Sequence, residues 1–229
     1  MTTAYPGTKV VDSLDAAVAG IPDSSVLLVG GWGGIGVPTD LITAIATAHP
    51  TDLTVVTNNC GMGRPGDVGE LFRAGLVSHV IATYPTNPDA LDFRRRFDNG
   101  EVDLEIVPQG TLAERLRSAG AGLGGFFTPT GAGTLLAEGR ETRVIDGREQ
   151  IFEQPLPGDF AIIRAARGDE MGNLRFHYAA RGFNPVMAMA AATTIVQVDE
   201  LVPLGTLDPD DVHLPGIFVD RIFVTGVGS

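Results

Sequence analysis

The chain has 229 residues, 44% of them apolar and 19% charged, enough for a sizeable α/β core and far from a disordered composition. Its formal charge is −12 and Lys9 is the one lysine among 16 basic residues, so bulk attraction to nucleic acid or an anionic membrane is disfavoured. Any anionic substrate must be met locally, by amides, dipoles or arginines; the lone Cys60 excludes a disulfide framework and a cysteine-rich metal site.

Lys9, Asp12 and Asp15 interrupt the stretch 1–21, which therefore offers no apolar core for a signal peptide. Ser25–Val29 reads as a buried strand, followed by a glycine loop and a helix over Pro38–His49. Leu53–Thr57 is a second strand ending at Asn58 and Asn59. A short helix over Val68–Ala74, a third strand at His79–Ala82 and a helix over Asn87–Phe97 follow. Leu104–Pro108 reads as a fourth strand ending at Gln109, and Thr111–Ala119 as a helix. The glycine-rich segment 120–139 contains Leu123, Phe126 and Phe127, which a flexible linker rarely carries, and is expected to be a long functional loop. Phe160–Ala165 and Thr194–Val198 read as further strands, and Ala179–Ala192 holds a helix opening near Pro185. The longest apolar stretch, Val186–Val198, carries Thr193, Thr194 and Gln197 and is too short to cross a bilayer. With neither leader nor span, the expected address is the cytoplasm. Apolar runs alternating with helical segments over 1–229 predict one α/β domain, a mainly parallel sheet flanked by helices.

The glycine loop places Gly30, Gly31, Gly33, Gly34 and Gly36 within seven residues, between a strand and a helix. Gly31, Gly33 and Gly36 satisfy G-x-G-x-x-G, the dinucleotide-binding fingerprint, in its required context. A nicotinamide oxidoreductase then needs an acid at the end of the second strand for the ribose hydroxyls. The sequence there is Val55-Val56-Thr57-Asn58-Asn59, and Arg64, which could meet a 2′-phosphate, comes several residues later. Trp32 inside the loop and Pro38 after it also depart from that reading.

A different pattern fits better. Asp23, Ser24, Leu27-Leu28-Val29, Gly30-Gly31, Trp32, Gly36 and Pro38 resemble the signature of the A (alpha) subunit of family I CoA-transferases, with Ser24 and Trp32 departing from the small and phenylalanine positions. The likeness continues collinearly through Asn58-Asn59-Cys60-Gly61, Pro108-Gln109-Gly110-Thr111-Leu112-Ala113-Glu114-Arg115, Gly125-Phe126-Phe127-Thr128-Pro129, Asp159-Phe160-Ala161 and Pro215-Gly216-Ile217-Phe218. Gly124-Gly125 and Met187-Ala188-Met189-Ala190-Ala191 look most like the 3-oxoadipate branch, while Gly182 stands where an asparagine is usual.

The resemblance implies a CoA-transferase-like fold, a type that also hosts isomerases and sugar-phosphate-binding modules, so fold alone leaves such a module open as an alternative. It implies CoA transfer from succinyl-CoA to a 3-oxo acid, 3-oxoadipate first and acetoacetate next. The route is a glutamyl-CoA intermediate on a B-type partner carrying a Ser-Glu-Asn-Gly motif, in an α2β2 heterotetramer. That motif is absent here, so no catalytic residue is expected in this chain, and the chain alone should be inactive. Coenzyme A enters as a substrate thioester, with no tightly bound cofactor. Asn58, Asn59 and Gln109 would bind or orient the substrate carboxylate, neutral donors being preferable to a full charge that would over-stabilise the ground state. Read without the resemblance, Asn58 and Asn59 are a turn pair and Gln109 a surface amide. His49, His79, His177 and His213 lack ligand spacing, Arg94-Arg95-Arg96 reads as a solvated helix face, and Asp98-Asn99-Gly100-Glu101 as a structural turn. Trp32 would either wall an acyl pocket or pack beneath the sheet.

Overall fold

The computed structural model describes residues 7–226; residues 1–6, part of the stretch read for a leader, and 227–229 lie outside the described residues. In chain order the elements are α1 (Leu14–Val18), β1 (Val26–Val29), α2 (Thr39–Ala48), β2 (Leu53–Asn59), α3 (Gly69–Arg73) and β3 (Val77–Tyr84). Then follow α4 (Leu91–Asp98), β4 (Asp103–Ile106), α5 (Gln109–Gly120), β5 (Phe126–Thr128), β6 (Thr142–Ile145) and β7 (Arg148–Glu153). The last are β8 (Gly158–Asp169), β9 (Leu174–Arg175), α6 (Asn184–Ala190), β10 (Ala191–Val202) and β11 (Arg221–Val224).

The large sheet runs β11-β10-β8-β1-β2-β3-β4 with all of these neighbours parallel, and β9 adds antiparallel to β8. Its central strand β1 is Val-Leu-Leu-Val, a continuous apolar run because both faces are covered. Leu27 and Val29 point into one core, under α1 to α4; Leu28 points into the other, under α5 and α6. All three are fully buried, each burial contributing about 1.5–3 kcal/mol. Helix α2 buries Leu41, Ile42, Ala44 and Ile45, one stripe at helical spacing, and ends on His49 in the left-handed region with its N–H on the Ile45 carbonyl.

The mainly parallel sheet and its flanking helices match the sequence expectation; two parts do not. The segment 120–139 is more than a loop: β5 forms within it and joins an antiparallel sheet in the order β5-β7-β6. Gln109 does not end a strand. The fourth strand stops at Ile106, Pro108 is the N-cap, and Gln109 begins α5. A partly buried ion cluster ties the small sheet to the large one. Arg115 of α5 meets Glu105 of β4 at 2.6 Å and donates to the Gln154 carbonyl at 3.1 Å, and Arg140 pairs with the buried Glu153 of β7.

Candidate active site

Parallel α/β sheets place their ligands beyond the carboxyl ends of the strands, where the chain order reverses. Here that reversal falls beside β1, between β8 and β2. The loop leaving β1 turns tightly. Trp32 N–H bonds the Ile35 carbonyl at 2.9 Å and Ile35 N–H returns to Trp32 at 3.0 Å, with Gly33 at φ +60° as the first central residue. The tip of the loop is therefore Gly33-Gly34.

Asn58 and Asn59, the last residues of β2, hold that tip. Gly33 N–H donates to Asn58 Oδ1 at 3.0 Å, and Asn59 Nδ2 donates to the Gly33 carbonyl at 3.0 Å. Asn58 spends its remaining donors on Thr83 Oγ1 at 2.9 Å and Gln109 Oε1 at 3.3 Å; Asn59 Oδ1 accepts from Gly61 N–H at 2.9 Å. Both asparagines are buried, and bonding of every such group is what burial demands. The three predicted site amides and the five glycines are thus brought to one place. The two asparagines shape the loop, whereas Gln109 is exposed and among the described residues its Nε2 donates to no protein acceptor. Gln109 also stands at the amino end of α5, which has no side-chain cap.

The base of the loop is fixed from the other side. Asn184, fully buried at the start of α6, donates to the carbonyls of Gly36 at 3.0 Å and Ala180 at 2.7 Å and accepts from Arg164 N–H at 3.2 Å. Gly30 is obligatory there: an added Cβ would sit 1.9 Å from Asn184 Oδ1. Trp32 does not pack beneath the sheet. It stands 44% exposed at the rim of a cavity of about 490 Å³, lined also by Gln109, Ala113, Gly182, Phe183 and Val186. Gly182 allows this close approach, since a Cβ would lie 3.0 Å from that of Trp32. Sequence reasoning missed Thr83 and the role of Asn184. The first could have been found from register, because Thr57↔Ala82 and Asn59↔Tyr84 set Thr83 beside Asn58.

The dinucleotide reading loses its footing in this geometry. The ribose position at the end of β2 is taken by amides turned back onto the loop. The start of α2 is already bonded: Thr39 N–H to Val37 and Asp40 N–H to the buried Gln197 Oε1, so its amides do not face a pyrophosphate. Cys60 follows Asn59 and is fully buried, and burial pushes its thiol up to about 12, which removes it as a nucleophile. Glu101 pairs with Arg96 at the opposite end of β4, and Glu114 and Glu141 pair locally with Arg117 and Arg143. Among the described residues no group of three or more His, Cys, Asp or Glu could hold a metal, and no helix is long and apolar enough to cross a membrane.

The family model for Coenzyme A transferase matches residues 11–225. The chain is 50% identical over 214 residues to the A subunit of 3-oxoadipate CoA-transferase from Pseudomonas putida, covering 93% of this chain and 92% of the relative. It is 44% identical over 215 residues to the A subunit of succinyl-CoA:3-ketoacid coenzyme A transferase from Helicobacter pylori strain J99, covering 94% and 91%. Among solved structures, an acyl-CoA transferase of Escherichia coli O157:H7 in a thioester complex with CoA superposes with a TM-score of 0.82 at 26% identity, over 95% of this chain and 47% of that longer one. Glutaconate coenzyme A-transferase of Acidaminococcus fermentans shares the fold, with a TM-score of 0.82 at 21% identity over 95% of this chain and 75% of that one.

Proposed function

The chain belongs to the coenzyme A transferase family as an A-type subunit, and on that premise we propose that it supplies the acceptor side of an active site shared between two subunits, which moves CoA from succinyl-CoA to a 3-oxo acid. The observation that carries this reading is the amide cluster at the loop tip, in which Gln109 keeps a free Nε2 at the rim of the Trp32 cavity. A B-type partner, in an α2β2 assembly, brings the nucleophile. Its glutamate oxygen attacks the thioester carbonyl and the C–S bond breaks, leaving an acyl-glutamyl anhydride and CoA thiolate. The thiolate attacks the glutamyl carbonyl and releases the donor carboxylate, leaving a glutamyl-CoA thioester. The acceptor carboxylate then repeats the two attacks in reverse and departs as its CoA thioester.

This chain's residues act by position. The Gln109 amide and the uncapped amino end of α5 offer hydrogen bonds and a positive dipole end to a carboxylate without the full charge that would quench its nucleophilicity. The apolar wall of Trp32, Ala113, Phe183 and Val186 takes the acyl chain and excludes water. Asn58 and Asn59 fix the loop that borders it. No cofactor is held; coenzyme A passes through as substrate. Preference for 3-oxoadipate over acetoacetate rests on the 50% identical relative and on the 3-oxoadipate-like segments at Gly124-Gly125 and Met187–Ala191.

The deciding experiment is co-expression with a partner bearing the Ser-Glu-Asn-Gly motif. The purified pair should exchange label between succinate and succinyl-CoA and accept 3-oxo acids from a panel, and the single chain should not. A pair that exchanges no label removes the reading.

A further inference from the structure

Among the described residues most arginines in this chain are matched to a carboxylate or a backbone carbonyl. Arg64 is an exception, and it lies at the site. Its guanidinium covers the loop tip so closely that a Cβ on Gly34 would sit 2.6 Å from Nη1 and 3.2 Å from Cζ. Its side chain is exposed and, among the described residues, has no acidic partner. The backbone beneath it is hydrogen-bonded into a turn. Arg64-Pro65-Gly66-Asp67 is a turn closed by Asp67 N–H on the Arg64 carbonyl at 3.3 Å, with proline first and a glycine at φ +71° second, as a type II turn requires. Asp89 lies beside Gly63 but forms no ion pair with Arg64 among the described residues, and the Asp67 carboxylate is consumed by the N–H groups of Met62 at 2.6 Å, Arg64 at 2.9 Å and Gly69 at 2.8 Å. It holds the Arg64 main chain and leaves the side chain free.

We propose that Arg64 is a specificity residue that binds the second, non-reacting carboxylate of dicarboxylic acyl groups. The inference rests on the CoA-transfer reading and deepens it. A reacting carboxylate must remain nucleophilic and is better served by a neutral amide, whereas a spectator carboxylate loses nothing by a full bidentate ion pair. The two kinds of donor border the same loop tip: Gln109 is linked to Gly33 through Asn58, and Arg64 rests on Gly34. A diacid whose reacting carboxylate lies at Gln109 and whose chain crosses the loop tip can address both. The same contact serves the succinyl donor and a 3-oxo diacid acceptor; a monocarboxylate such as acetoacetate has nothing to place there.

The test uses the complete complex with its B-type partner and the variants Arg64→Gln and Arg64→Lys. In a ping-pong enzyme kcat/KM for the acceptor reports only the half-reaction in which it takes CoA, so donor and acceptor are read separately. With Arg64→Gln, kcat/KM for 3-oxoadipate and for succinyl-CoA should each fall about 10- to 100-fold, the loss expected for a charged hydrogen-bonded contact. The value for acetoacetate should stay within about twofold, which also shows the variant to be folded. Arg64→Lys should recover part of the diacid activity, because charge remains while the bidentate fork is lost. A uniform loss over all three substrates would assign Arg64 to loop packing or to the partner, and no loss at all would leave it as surface; either overturns the proposal. A wild-type complex that transfers CoA to acetoacetate but not to 3-oxoadipate also overturns it, while the family reading survives. A wild-type complex inactive with every acceptor takes both down.

Discussion

The two ends of the parallel sheet are built from different polar chemistry. Toward the amino ends, carboxylates accept backbone amides: Asp159 from Val26 N–H at 2.7 Å, Asp220 from Thr194 N–H at 2.7 Å, and Asp23 from Thr51 N–H at 2.6 Å. At the carboxyl ends neutral amides hold the glycine loop, with Asn58 and Asn59 on its tip, Asn184 on its base and Gln197 on the start of α2, while Asp67 closes the turn that follows β2. A chain of net charge −12 thus lines the glycine loop itself with neutral amides rather than carboxylates. Two residues of the family-like segments, Asp23 and Asp159, belong to the structural end.

The comparison can be broken most forcefully at Gly30. Gly30→Ala drives a methyl into Asn184 and should cost about 3 kcal/mol, or roughly 6–12 °C in Tm, by thermal denaturation. A variant melting like wild type would mean that Asn184 does not clamp the loop base. Gln109→Ala should lower kcat/KM about 10- to 100-fold with Tm unchanged, since Gln109 is exposed and bonded only weakly to Asn58. Asn59→Ala should lose turnover as well, and in addition about 1–2 kcal/mol of stability, because the Gly33 carbonyl and Gly61 N–H are orphaned. At the other end, Asp159→Ala should cost about 1–2 kcal/mol and leave kcat/KM per folded complex untouched. A specific loss of turnover there would dissolve the division between the ends.

The smallest effect concerns His213. Burial, then Arg181 and Arg175, hold its pKa below the usual histidine range against the opposing Asp211. Its Nδ1 accepts from Phe176 N–H at 3.0 Å, which requires that nitrogen to be unprotonated. The native state favours neutral imidazole, so the unfolded chain binds more protons. The stabilisation is complete above the unfolded value of about 6.5 and declines as pH falls from there through the lowered folded value. An NMR titration should find the His213 midpoint below that of a free histidine; a midpoint at or above it contradicts the geometry.

Much of the fold was legible because buried parallel strands are unbroken apolar runs. Strands β1 to β4 and helices α2, α4 and α5 fall within a few residues of expectation. The ends of β8 and β10 were not legible. Beyond Ala165 and Val198 the residues turn charged, and local propensity stops the strand. Pairing across register continues it, with Arg167 opposite Glu200 at 2.7 Å. The small antiparallel sheet, of which only β5 lies in the glycine-rich segment, escapes a local reading for a related reason, since its edge strand β6 is exposed along its whole length and has no buried face to pattern it. In the site, Asn58, Asn59 and Gln109 were marked by strand-end position and by resemblance. Their mutual contacts, the clamp of Asn184 and the resting place of Arg64 depend on pairings 25 to 148 residues apart. No local pattern carries those.

Cys60 gives the site one further property. Thioesters exchange readily with thiolates, so a reactive cysteine beside a bound acyl-CoA would capture the acyl group and leave the protein self-acylated. With its thiol sealed in the core and its ionisation pushed out of the neutral range, Cys60 occupies its place as a small apolar filler. The native complex should therefore resist iodoacetamide, and the chain should carry its acyl cargo past its own sulfur without a side reaction.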